Sequence, residues 1–132
     1  MARILVVGAV GRARELESSG HVVEEAEGAD PDRLATLTPL LEGVTVVCWL
    51  FGESGAEPLH GDRLESLVEY LVDTPVRGLV YERSSDHPRG EQVIVRAHET
   101  FRIPCAVISP GDDLGVAVER VLDAQNPPPA IA

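Results

Sequence analysis

Lysine is absent from the sequence, and each of the 11 cationic side chains is an arginine. Arginine stays protonated and therefore cannot take over proton transfer or imine chemistry from lysine. Three kinds of site are excluded as a result: a phosphate-loop lysine, a Schiff-base lysine and the Tyr-x-x-x-Lys pair of many oxidoreductases.

Long apolar runs are absent as well. The longest, Val44 to Phe51, is far shorter than the roughly 20 residues that a membrane helix needs. Met1 to Arg3 leads directly into a strand-like segment, without the pattern of a signal peptide. We therefore expect a cytoplasmic protein that does not bind membranes.

Cysteine is scarce, with only Cys48 and Cys105 in the chain. Both lie inside apolar, strand-like runs, where a small buried thiol is commoner than a disulfide, a metal ligand or a nucleophile. His60 and His98 have no second ligand at metal-like spacing. The sequence therefore predicts two buried thiols and no metal site.

Positive charge is outweighed by negative charge, since 22 acidic and 11 basic residues give a formal net charge of −11. The acidic residues are spread over the whole chain and form no acidic tail. Nucleic acids and anionic membranes are therefore poor partners, and we expect a solvated acidic surface.

The residues that are present indicate one α/β domain. A chain of 132 residues fits a single domain, which we place at 1–125, and three consecutive prolines mark 126–132 as a flexible tail. Five apolar runs rich in Val and Ile alternate with five helix-like segments, which predicts a three-layer sandwich around a five-stranded parallel sheet. The runs are Ile4–Val7, His21–Val23, Val44–Phe51, Val76–Tyr81 and Cys105–Ile108.

The helix-like segments differ in strength. Arg12 to Ser19 is the weakest, because only Ala13 and Leu16 are apolar in it. Pro39 is expected to break or restart its own segment. Asp62 to Glu65 has the form of a capping box and predicts the start of an amphipathic helix.

A glycine turn follows the first apolar run, in "VVGAVGRARELESSGHVV" (6–23). Gly8 permits a tight turn, Gly11 lets a phosphate approach the backbone, and the next helix directs free N–H groups at that phosphate. The guanidinium of Arg12 would add an ion pair with the same phosphate. Arg14 counts against the site, because it replaces a third glycine or alanine that would allow close helix–sheet packing. The candidate cofactor loop consists of Gly8, Ala9, Val10, Gly11 and Arg12.

Acidic residues follow the second apolar run. Glu24 or Glu25 could accept hydrogen bonds from a ribose, which would favour NAD over NADP, and we take Glu24 as the candidate. The segment Glu24 to Glu27 also fits an ordinary solvated turn, and both interpretations stay open.

A polar segment, "YERSSDHPRGEQ" (81–92), ends the fourth apolar run. Ser84, Ser85, Asp86 and His87 combine hydroxyls, a carboxylate and an imidazole at the carboxyl end of a strand, which suits nucleophilic attack or proton relay. The candidate catalytic residues are Ser84, Ser85 and His87. Neighbours in sequence seldom form a working triad, because their side chains diverge. A polar turn that ends at Pro88 is the alternative.

Several segments together resemble a known family. "RILVVGAVGR", "GHVV", "LEGVTVVCWLFG", "LVYERSS" and "RIPCAVISPG" occur in the order and with the character of atypical short-chain dehydrogenases/reductases and related epimerase-like Rossmann proteins. The resemblance covers most of the chain and implies NAD or NADP as cofactor. It places pyrophosphate on the glycine turn, the loop of Leu50, Phe51 and Gly52 over the nicotinamide ribose, and Ser84 and Ser85 near the substrate.

The chain also departs from that family. Only Glu24 to Gly43 separates the second run from the third, which leaves room for one helix and no further strand–helix pair. Loss of one such unit would convert the strand order 3-2-1-4-5 into the flavodoxin-like order 2-1-3-4-5, which we predict. Without Tyr-x-x-x-Lys the family's usual proton donor is missing, and His87 or Tyr81 would have to replace it.

Two functions remain open at this point. The chain is either an NAD(P)-binding, oxidoreductase-like protein or a non-catalytic interaction or regulatory module that keeps the fold without the cofactor. The expected partner of the chain is a dinucleotide or another small molecule. The exposed edges of the sheet are also compatible with a homodimer. A phospho-receiver domain is excluded, because it needs an acidic cluster after the first strand and a lysine at the end of the fifth.

Overall fold

The computed structural model describes residues 2–8, 11–26, 30, 33–54 and 56–125. Among the candidates from the sequence, Ala9 and Val10 lie outside the described residues, and so does the proposed tail, 126–132. No helix in the described ranges has the length and apolar character to cross a membrane.

One fully parallel sheet of five strands forms the centre of the fold. In chain order the strands are β1 (Arg3–Gly8), β2 (Val22–Glu25), β3 (Val46–Leu50), β4 (Gly78–Glu82) and β5 (Cys105–Ile108). They lie side by side in the order β2-β1-β3-β4-β5, so the predicted α/β class and strand order are confirmed. β3 and β4 are buried at every position, as continuous apolar runs in a sheet covered on both faces require.

Helices cover both faces of the sheet. One face carries α1 (Leu34–Leu37), α2 (Glu57–His60), α3 (Asp62–Leu71) and α4 (Arg89–Phe101). The other face carries α5 (Leu114–Gln125) and a 3₁₀ helix, Arg12–Ser19, which we call the first 3₁₀ helix. Further 3₁₀ turns span Thr38–Leu41 and Gly52–Ser54. Pro39 lies where α1 tightens into such a turn, so the predicted break is confirmed.

Side chains of the strands alternate between two cores. Trp49 and Tyr81 are completely buried on the side of α3 and α4, and Cys48 is completely buried on the side of α5. Burial raises the pKa of the Cys48 thiol to about 12, so this thiol stays protonated and unreactive. Cys105, also a free thiol, is only partly buried, so the predicted burial is confirmed fully at Cys48 alone.

The start of α3 differs from the prediction. Asp62 is the first residue of the helix and makes no side-chain cap, and its Oδ1 lies 2.8 Å from Nη2 of Arg89 on α4. α3 begins directly at Asp62, and only Gly61 separates it from α2. The predicted capping box is therefore wrong, because the N-cap position falls on Gly61, which has no side chain, and the Asp62 carboxylate pairs with Arg89 instead.

Candidate functional site

The strand order reverses between β1 and β3, and open α/β sheets bind ligands beyond the carboxyl ends of their strands at such a point. Gly8 and Leu50, which are paired in the sheet, end these two strands. Gly8 has a φ of 110°, and a Cβ on it would lie 2.6 Å from the Leu50 carbonyl oxygen. The two backbones are thus in direct contact at the reversal, and this contact requires glycine at position 8.

The glycine turn continues at Gly11, whose backbone N–H is already bonded. Gly11 has a φ of 88°, and a Cβ there would meet nothing within 4 Å. Its N–H donates to Oε1 of Glu25 at 3.1 Å. A carboxylate of the same chain therefore lies beside the turn, where the sequence predicts a phosphate.

The two acidic residues at the end of β2 have different partners. Glu25 reaches the glycine turn, whereas Glu24 has its Oε1 2.5 Å from Nη2 of Arg3. Successive side chains of a strand alternate between the faces of the sheet, which separates the two carboxylates. Of the pair considered as ribose acceptors, Glu25 is the residue beside the glycine turn, and our candidate Glu24 is held elsewhere.

The helix after the turn is a 3₁₀ helix, flanked by Gly11 and Gly20 in left-handed conformations. It buries Leu16 completely in the core. The N–H of Arg14 donates back to the carbonyl of Gly11 at 3.2 Å, which removes one amide from a helical anion site. Because hydrogen bonds in 3₁₀ segments have poorer geometry than those in α-helices, the attraction for a phosphate is weaker than the sequence predicts.

Arg12 is turned towards the edge of the sheet and is surrounded by acceptors. Its guanidinium forms ion pairs with Glu15 and Glu82, and its Nη2 donates to the carbonyl of Asp112 at 3.0 Å. Burial opposes the charge on Arg12, but the two carboxylates outweigh that effect and raise its pKa. The charge assigned to a phosphate is thus taken up within the protein, first by Glu15 and then by Glu82, which is only 5% exposed.

The two candidate serines face Glu53, which follows β3. The hydroxyls of Ser84 and Ser85 donate to the Glu53 carboxylate at 3.2 and 3.0 Å, and the backbone N–H of Ser85 donates at 2.9 Å. That backbone hydrogen bond is the main cause of a lowered pKa at Glu53. A carboxylate with a lowered pKa is a weak general base, so Glu53 orders the turn without activating a serine.

A buried histidine, His60, lies close to this turn. Its Nε2 is 2.9 Å from the carbonyl oxygen of Gly52, which can only accept, so Nε2 carries the proton. Its Nδ1 then accepts from the Tyr81 hydroxyl at 2.5 Å. Burial lowers the pKa of His60 and raises the pKa of Tyr81. Both groups are therefore neutral, and their hydrogen bonds are made inside the protein.

His87, the third candidate catalytic residue, stacks on His60 with ring centroids 5.2 Å apart and planes 17° from parallel. Within the described residues, no hydrogen bond joins its ring to the hydroxyl of Ser84 or Ser85. The structure thus brings the three candidates to one edge of the sheet but does not pair a nucleophile with a base.

Two residues that organise this edge, Glu82 and His60, are not identified by the sequence analysis. Glu82 directly ends a buried strand in "LVYE", and a carboxylate at such a position is a recognisable signal. His60 lies in a polar stretch of the sequence, which gives no sign that folding buries the ring completely.

We expect the free energy of unfolding to decrease as the pH falls through 6.5, with His60 responsible for part of the decrease. In the unfolded chain His60 takes up a proton near its ordinary pKa of 6.5, whereas burial lowers that pKa in the folded protein. The unfolded state then binds more protons, so stability falls with falling pH until the folded-state pKa is passed.

Urea unfolding across this pH range checks the prediction. His60→Gln should show a shallower pH dependence than the wild type, whereas His98→Gln, at an exposed position of α4, should keep the wild-type dependence. An unchanged dependence in His60→Gln would contradict the role given to the buried ring.

An open cavity of about 410 Å³ borders the glycine turn on its β2 side. Gly11, Ala13 and Val23 form part of its wall, together with the charged residues Arg14, Glu17 and Glu25. Small-molecule sites measure about 300–1,000 Å³, so part of a nucleotide fits here. Two of the three charged side chains, however, repel a phosphate.

In the part of the chain that the structure describes, no group of three or more His, Cys, Asp or Glu side chains is placed to hold a metal ion. Comparison of the chain with protein-family models, curated proteins and solved structures gives no match. The resemblance to atypical short-chain dehydrogenases/reductases, and the NAD or NADP binding that it implies, therefore stay predictions from the sequence.

Proposed function

We propose that this chain is a non-catalytic interaction or regulatory module, in which the glycine turn of a dinucleotide-binding type of fold serves the stability of the domain. The proposal rests on one observation: the N–H of Gly11 donates to the carboxylate of Glu25 at 3.1 Å. The group that the sequence assigns to a phosphate is thereby bonded to an acidic side chain of the same chain.

The charges around the turn support this proposal. Arg12 is paired with Glu15 and Glu82, so a pyrophosphate has to displace carboxylates or lie beside them. At an effective dielectric constant of about 20, two like unit charges about 4 Å apart repel by about 4 kcal/mol. That repulsion corresponds to roughly a thousandfold loss of affinity.

The state of the proton donors supports the non-catalytic part of the proposal. A reductase of the resembled family needs a replacement for its Tyr-x-x-x-Lys pair, and Tyr81 is one of the two residues considered for that role. Its hydroxyl is bonded to His60, and both side chains are completely buried. A donor in this position does not reach a substrate at the surface of the sheet edge.

Dinucleotide binding is the second candidate function, and the cavity of about 410 Å³ beside Gly11 favours it. In this alternative Glu25 releases the N–H of Gly11 to a phosphate and accepts hydrogen bonds from a ribose instead. Arg14, on the rim of the same cavity, supplies the positive charge that Arg12 does not.

A thermal-shift titration with NAD, NADH, NADP, NADPH and FMN separates the two candidates. A ligand that binds only the folded state stabilises it by about 2.7 kcal/mol at a hundredfold excess over Kd, which raises Tm by several degrees. We expect no measurable shift for the wild type at millimolar ligand, because the turn is closed by its own carboxylates.

Two variants control this titration. Glu25→Gln removes the charge beside Gly11 and should allow a small shift, whereas Glu24→Gln, next to Arg3, should behave like the wild type. A clear shift of the wild type with one nicotinamide nucleotide, lost in Gly11→Asp, would overturn the proposal and establish the second candidate.

A further inference from the structure

A small groove lies between α3 and α4, on the sheet face opposite the first 3₁₀ helix. It encloses about 160 Å³, and its apolar lining consists of Val68, Val93 and Phe101. Pockets for drug-sized ligands measure about 300–1,000 Å³, so this groove suits a smaller molecule. Its lining does not include any residue of the glycine turn, nor Glu53, Ser84 or Ser85.

Opposite charges line the two sides of the groove. At the start of the two helices Arg89 of α4 pairs with Asp62 and Glu65 of α3, at 2.8 and 3.4 Å. Further along, Glu69 of α3 and Arg96 of α4 also line the groove, but among the described residues neither forms an ion pair. An acid and a base therefore face the same apolar slot, and each retains its capacity to bind a charged group.

Arg96 is held in place by an aromatic contact. Its guanidinium carbon lies 5.6 Å from the centroid of the Phe101 ring, within the range of a cation–π interaction. This contact fixes the guanidinium at the wall of the groove while leaving its N–H groups to an acceptor. Arginine in such a setting is suited to bind a carboxylate.

We propose that the α3–α4 groove binds an apolar α-amino acid in its zwitterionic form. The carboxylate pairs with Arg96, the ammonium group pairs with Glu69, and the apolar side chain packs on Phe101 and Val93. A carboxylic acid without an amine would leave Glu69 unpaired and would lie close to its negative charge. This inference goes beyond the proposed function and holds whether or not the glycine turn binds a nucleotide.

Isothermal titration calorimetry of the wild type with L-leucine and two analogues tests the proposal. 4-Methylpentanoate lacks the ammonium group, and 3-methylbutylamine lacks the carboxylate. We expect saturable binding of leucine, and binding of each analogue weaker by about two- to fivefold, because each loses one charge pair with an exposed side chain. Failure of leucine, valine and phenylalanine to bind at millimolar concentration would overturn the proposal, and so would equal binding of leucine and both analogues.

Substitutions locate the site. Arg96→Gln and Glu69→Gln should each weaken leucine binding by about two- to fivefold, whereas Glu99→Gln, on α4 but outside the groove, should bind leucine like the wild type. All three positions are exposed, so the variants should fold. Wild-type affinity in both groove variants would show that leucine binds elsewhere. A nucleotide titration of the same samples keeps this result separate from the state of the glycine turn.

Discussion

Gly8→Ala should destabilise the folded protein by about 3–5 kcal/mol, whereas Gly11→Ala should cost only about 1–2 kcal/mol. Both glycines have a positive φ, 110° and 88°, so alanine is strained at either position. At Gly8, however, the new Cβ would also lie 2.6 Å from the carbonyl oxygen and 2.9 Å from the carbonyl carbon of Leu50. Those atoms belong to the β1–β3 ladder and cannot move without breaking it.

Urea unfolding followed by tryptophan fluorescence measures both variants, because the chain has one tryptophan and Trp49 is completely buried. The comparison also divides the predicted cofactor loop into two parts. Gly8 is needed for the sheet itself, while Gly11 stands in open space, so only Gly11 can be changed to probe a ligand. Equal losses of stability in the two variants would mean that β1 and β3 are not in close contact at Gly8.

Gly90→Ala should lower the free energy of unfolding by about 3 kcal/mol, although alanine is the better helix former by about 1 kcal/mol. Gly90 lies in the first turn of α4, directly over the ring of Tyr81. A Cβ at this position would overlap the Tyr81 hydroxyl, and the ring carbon that carries it would be only 2.5 Å away. The ring has to move, and its hydrogen bond to His60 is then lost, which costs about 1 kcal/mol more.

Gly115→Ala in α5 is the matched control. There the nearest atom to a new Cβ is Oδ1 of Asp113 at 3.2 Å, which accepts a hydrogen bond from the N–H of Val116 and has to shift by a few tenths of an ångström. We expect this variant to lie within about 1 kcal/mol of the wild type, because the gain in helix propensity offsets the strain on the Asp113 cap. Tyr81→Phe should rescue Gly90→Ala only in part, since it removes the hydroxyl but leaves the ring carbon. Full stability of Gly90→Ala alone would show that Tyr81 is free to move.

The fold could be predicted from the sequence to a large extent, because a strand buried on both faces must be continuously apolar. The fifth apolar run, Cys105–Ile108, has the same bounds as β5, and the short span from Glu24 to Gly43 predicts the observed strand order. The weak helix after the glycine turn was also recognisable, since few of its residues are apolar, and it forms as a 3₁₀ helix.

The contacts of the candidate site could not be predicted in the same way. Arg12 and Glu82 are 70 positions apart in the chain, and His60 and Tyr81 are 21 apart, so no local pattern joins them. The sequence predicts Arg12 beside a turn that suits a phosphate. It does not show that Glu25 accepts the hydrogen bond of the Gly11 N–H, or that Glu82 forms an ion pair with Arg12. Which groups form hydrogen bonds or ion pairs with one another depends on the distances between strands, and those distances are set only when the sheet forms.

The central position of β1 has a consequence for the synthesis of the protein. Ile4 pairs with Val46, so the central ladder joins residues 42 positions apart. The free energy of closing such a loop is about 3 kcal/mol plus a constant. The partner on the other side, β2, is made earlier, but a pair of strands alone is at best marginally stable in water. The four apolar residues of β1 that end up buried, Ile4 to Val7, therefore leave the ribosome before β3 does and stay uncovered until it follows. Until then the nascent chain presents an unpaired apolar strand to chaperones.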